Sequence, residues 1–162
     1  MGIISGFFTT VPIDWFILGF IGLGIALDSV RTGIGRACAL SLALPLAGVF
    51  SSFFAKAALI SSLGATVNSA TGQAIIFGIL ALASYLLVRR MGLEYIDSGM
   101  GEPIQSLLAG AATAIVVAVV WLSTPGLVPL FHIGPQVGAI FAESYRLWWL
   151  LAAYLALAFA RG

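Results

Sequence analysis

The chain has 162 residues, 61% apolar and 8% charged, where a soluble domain carries about 45–50% apolar and ~25% charged residues. Seven Lys or Arg and six Asp or Glu cannot coat a water-soluble globule of this length, and a net charge of +1 provides no basic field for nucleic acid. Composition therefore excludes an ordinary soluble enzyme, a disordered chain and an electrostatic nucleic-acid binder. It points to an all-α, polytopic membrane helix bundle, a single membrane domain over residues 1–162 whose first partner is the lipid bilayer. Residues 1–6 carry no Lys or Arg, so no cleavable signal peptide is expected.

A crossing needs about 20 apolar residues. The first predicted span covers residues 12–28. Pro12 suits the first helical turn, Asp14 can meet free backbone N–H groups there, and Trp15 fits the interfacial aromatic belt. The second, residues 37–55, lies between Arg36 and Lys56 and contains Pro45. A proline inside a membrane helix kinks it and is tolerated only where neighbouring groups satisfy the freed carbonyl. The third, residues 72–88, is closed by Arg89 and Arg90. The fourth, residues 104–122, opens with Glu102 and Pro103 and is stopped by Thr124, Pro125 and Gly126. Residues 136–160 are ambiguous. The purely apolar part, interrupted only by Tyr154, reaches ~21 Å as helix, and lengthening it brings in Glu143 and Arg146, three apart and able to pair on a helix face. The segment reads either as a fifth crossing or as a helix lying at the interface.

Arg31, Arg36, Arg89 and Arg90 fall in the first and third loops, and Lys56 stands alone in the second. Positive charge in short loops marks the cytoplasmic side, so these two loops are expected inside and the N-terminus outside, in a bacterial inner membrane or, alternatively, a virion membrane. Small residues let helices approach closely in lipid. Ala39, Ala43, Ala47, Ser51 and Ala55 form such a stripe on span two. Ser106, Gly110, Ala114 and Ala118 form one on span four, and Ala152, Ala156 and Ala160 a third near the C-terminus. Three stripes favour a compact bundle or homo- or hetero-oligomeric faces. Cys38, the single cysteine, reads as a small packing residue.

The catalytic inventory is thin. His132 is the only histidine, there is no Gly-x-Ser-x-Gly elbow and no His-Glu-x-x-His, and no zinc-type spacing exists. Neither a catalytic residue, a cofactor nor a metal is expected. Two polar groupings stand out. Asp28, Arg31, Arg36, Arg89, Arg90, Asp97 and Gly101 form a candidate cytoplasmic interaction face, in which a pair such as Arg36 with Asp97 is conceivable. Asn68 and Gln73, in or beside the uncharged Ser/Thr/Asn/Gly segment 61–73, together with His132, form a candidate cavity lining.

Ile13, Asp14 and Trp15 opening span one, Gly33, Ile34, Gly35, Arg36 and Ala37 before span two, and Gly92, Leu93, Asp97, Ser98, Gly99, Met100 and Gly101 before a small-residue fourth span resemble the colicin V production protein family, small bacterial inner-membrane proteins. The likeness spans roughly residues 12–122 and its motifs are short. Ser98, Gln105 and Leu108 depart from the family's usual Arg, Gly and basic residue. The resemblance implies a role in colicin V production, export or envelope maintenance through helix–helix and cytoplasmic-loop contacts, without enzymatic chemistry. A small oligomeric channel or transporter subunit, and a structural membrane protein of a virion or other large assembly, are the competing expectations.

Overall fold

The structure, a computed structural model, describes residues 13–56, 69–93, 103–131 and 133–161. Among them the elements are helical: α1 (Ile13–Thr32), α2 (Gly35–Lys56), α3 (Ala70–Val88) prolonged by a π-turn (Arg89–Leu93), α4 (Pro103–Ser123), α5 (Pro135–Ile140), a 3-10 turn (Glu143–Tyr145) and α6 (Arg146–Arg161). The first four are long and apolar enough to cross a membrane, as composition demands. The chain is a helical membrane protein.

Local chemistry explains where these helices end. α1 runs one turn beyond Asp28, and the Thr32 hydroxyl donates to the Asp28 carbonyl at 2.8 Å. Gly33 then takes φ 87° and donates its N–H to the Ser29 carbonyl at 2.9 Å, the left-handed exit that glycine alone adopts without strain. Ser69 caps α3 by accepting the Gly72 N–H at 3.1 Å, so that helix starts before the predicted residue 72. At the end of α4, the Thr124 hydroxyl donates to the Val120 carbonyl at 2.8 Å before Pro125 stops the helix.

α4 is the central element, in contact with α1, α2 and α6, while α3 packs on the outer side of α2. In α4, 56% of the span is buried, against 33% or less in the other three. Small residues all round allow this. Ser106, Gly110, Ala114 and Ala118 are all buried, and Gly110 and Ala114 meet Gly22 and Ala26 of α1. A Cβ on Gly110 would lie 2.8 Å from the Ala26 Cβ and 3.0 Å from the Ala26 nitrogen, so the two backbones nearly touch. On α2, Ala39, Ala43 and Ala47 are buried. Ser51 is half-buried and bonds within its own helix, to the Gly48 carbonyl at 2.8 Å. Ala55 lies outside the residues whose side chains are described. Cys38 belongs to the core between these helices.

Two expectations for the C-terminal segment require correction. Residues 136–160 are not one helix: the chain breaks between Phe141 and Tyr145. There the Arg146 Nε donates to the Phe141 carbonyl at 3.2 Å instead of pairing with Glu143, because the break takes the two residues off a common α-helical face. The packing face of α6 is also rotated. Ala153, Leu157 and Ala160 are buried and Ala152 is exposed, since the helix turns Tyr154 and Leu157 toward the small residues of α4 and α2. α6 does not lie across the end of the bundle. Trp149 and Leu150 pack with Ala118 and Val119, and Tyr154 reaches α2 at the level of Thr113, so α6 runs antiparallel alongside α4. Its 16 residues extend ~24 Å, short of a hydrocarbon core of about 30 Å.

Large apolar side chains cover the outside, among them Phe20, Phe53, Ile79, Ile104 and Phe159. That arrangement suits lipid and would be insoluble in water. Trp121 is turned partly inward. It packs half-buried against the core and its Nε1 donates to the Phe131 carbonyl at 3.4 Å.

Candidate functional site

Inside the bundle, polar side chains tie helices together. Pro45 has no N–H, so the carbonyl four residues earlier, that of Ser41, loses its helical donor. The Tyr154 hydroxyl of α6 donates to that carbonyl at 2.9 Å. The Ser41 hydroxyl lies 2.9 Å from the Thr113 Oγ1 of α4. Thr113 already donates its proton to the Ala109 carbonyl at 2.8 Å, so Ser41 is the donor of that pair. Three helices thus meet at one buried knot, and the freed carbonyl that Pro45 requires to be satisfied has its partner. At the end of the bundle holding the start of α1, the buried Asp14 carboxylate accepts the Gly134 N–H, joining α1 to the start of α5. It acts as a clamp between distant segments, where the sequence suggested a group meeting the free N–H groups of its own helix.

The opposite end gathers the arginines. α1 finishes, α2 begins and α3 finishes there, because the two-residue link Gly33 and Ile34 and the antiparallel run of α2 and α3 bring these termini together. Arg36 Nη1 stands 3.8 Å from Asp28 Oδ1, an ion pair across the α1–α2 turn. Both partners are half exposed, so the pair orients side chains more than it stabilises the fold. The pair sits at the mouth of a groove of about 480 Å³ between α1, α2 and α3, lined by Gly24 and Asp28, by Arg36 and Leu40, and by Ala81 and Tyr85. Arg31 lies one turn beyond Asp28 on the same face of α1, and Arg89 one turn beyond Tyr85 on the same face of α3. Arg31 and Arg90 are exposed.

Asp28, Arg31, Arg36, Arg89 and Arg90 of the candidate cytoplasmic face lie at one end. Asp97 and Gly101 lie outside the described residues, and the carboxylate beside Arg36 is that of Asp28. Of the predicted cavity residues, Asn68 and His132 also lie outside the described residues. Gln73 is at the other end, packed so closely on Gly126 that a Cβ there would come within 2.6 Å of the Gln73 Oε1. It belongs to the contact between α3 and the segment after α4 and takes no part in the groove. Among the described residues, no three His, Cys, Asp or Glu side chains converge in a way that could hold a metal ion. Sequence reasoning missed Tyr85, Thr113 and Tyr154. The signal for Tyr154 was present: a lone hydroxyl in an apolar helix, in a chain whose second span needs a donor.

The chain matches no family model, no curated protein and no solved structure.

Proposed function

We propose that the chain is a non-enzymatic component of the bacterial inner membrane, of the colicin V production type, that acts in export or envelope maintenance by docking other proteins at its arginine-rich end. The observation that carries this reading is the separation of roles among the polar side chains. Those in the interior (Ser41, Thr113, Tyr154, Asp14) join helices. The arginines at one end stand outward, with Arg31, Arg36 and Arg90 exposed. An end so rich in Arg faces the cytoplasm under the positive-inside rule, which puts the start of α1 outside, and small-residue faces provide for association with other membrane proteins.

Topology and docking can be tested together in cells. In a C38A background, single cysteines replacing Arg31 or Arg90 should resist a membrane-impermeant thiol reagent until the membrane is opened, while one at Val128 should react at once. The reverse pattern would invert the orientation. A specific partner crosslinked to the wild-type chain should then be lost in an R31Q/R90Q variant, and an unchanged partner set would count against docking at this end.

A further inference from the structure

We propose that the groove between α1, α2 and α3 holds one anionic phospholipid, with its phosphate at the arginine rim and the first part of one acyl chain in the groove. The proposal rests on the membrane location of the bundle and is independent of the docking role above. Below its mouth the groove is apolar, lined by Gly24, Ile25, Leu40, Ala81 and Leu82, and Leu82 is also exposed on the outer surface. The groove is therefore continuous with the face that meets hydrocarbon, and an acyl chain can enter from the side without leaving the bilayer. Its volume of about 480 Å³ is that of a small-molecule site. Its mouth is polar: Arg36 and Asp28, with the Tyr85 ring beside them, and Arg31 and Arg89 one helical turn farther out.

Charge selects the headgroup. Among the described residues, Asp28 is the single carboxylate at this end, beside Arg36 and one helical turn from Arg31. A guanidinium presents a planar fork of donors that matches a phosphate, and basic pockets between membrane helices near the surface recognise anionic lipid headgroups. The 3.8 Å spacing of Arg36 and Asp28 is loose for a charge-assisted hydrogen bond, so Arg36 keeps donors for a phosphate oxygen. The ligand has two parts because the site has two: an apolar slot that a free phosphate would leave empty, and a cationic rim that a neutral lipid would leave unmatched.

Gly24 supplies a clean test. A Cβ built there meets nothing within 4 Å, so G24L places a side chain in the groove without disturbing helix packing and favours the α1 helix. The full-length protein, stripped of lipid in non-ionic detergent, is titrated with phosphatidylglycerol or phosphatidylcholine of identical chains, and bound lipid is counted by native mass spectrometry. The wild type should retain one phosphatidylglycerol in preference to phosphatidylcholine. R36Q should narrow that preference by roughly fivefold, the share of one arginine near a membrane surface. G24L should lose the retained lipid while its helicity and unfolding midpoint match or exceed those of the wild type. Equal retention of the two lipids by the wild type, or undiminished phosphatidylglycerol on G24L, would overturn the proposal.

Discussion

α4 is held on two sides by different means. Toward α1 it presents glycine and alanine, and the backbones at Gly22 and Gly110 approach until no Cβ fits at Gly110. Among the described residues polarity contributes nothing on this face: the hydroxyls of Ser29 and Ser106, one turn farther along it, are buried with no partner there. Toward α2 and α6 the link is a chain of hydrogen bonds through Thr113, Ser41 and Tyr154. The first contact exists because two smooth surfaces fit. The second exists because Pro45 leaves a carbonyl that lipid cannot satisfy. Dispersion over small residues and a single obligatory hydrogen bond are thus two separate ways of fixing a helix where water is absent.

The contrast can be broken by mutation, with stability read from unfolding in micelles or bicelles. G110L should be the most damaging change. Its side chain would run into the α1 backbone and the Ala26 Cβ, and overpacking of that kind costs on the order of 3 kcal/mol. Y154F should cost about 1–2 kcal/mol, since it strands the Ser41 carbonyl inside the bundle. P45A restores a backbone donor for that carbonyl, so in its background Y154F should lose most of its effect, with a coupling of about 1 kcal/mol in the double-mutant cycle. Additive effects would show that Tyr154 matters for another reason. S106A should change stability by less than ~0.5 kcal/mol, or raise it, because it removes a buried hydroxyl that bonds nothing among the described residues. A loss as large as that of Y154F would mean the α1–α4 contact is polar after all.

Much of this arrangement could be read from the residues, and the limits are physical. Long apolar runs with Pro103 at one start and Arg89 and Arg90 at another end identified the four spans, because insertion into lipid depends on local composition. The stripes on α2 and α4 were visible for the same reason, as spacing alone places them on one face. Pro45 announced a missing donor, but which group would fill the gap depended on where α6 packs, and that is a tertiary fact. The break between Phe141 and Tyr145 carries no proline or glycine and left no signature. The Asp28–Arg36 pair was hidden by its own sequence spacing: eight residues along one continuous helix would hold them ~12 Å apart, and only the turn at Gly33 brings them together.

Packing order differs from chain order, and this governs how the bundle is made. Asp14 and Gly134 are 120 residues apart, and the helix that covers Gly22 and Ala26 is synthesised well after α1 has entered the bilayer. α1 and α2 can insert as a hairpin, yet α1 leans away from α2 toward a neighbour that does not exist when it arrives. The nascent chain therefore holds a bare glycine and alanine face against lipid until α4 has been made. Closure of this face waits for residues 103–123, and the Asp14 clamp waits for Gly134.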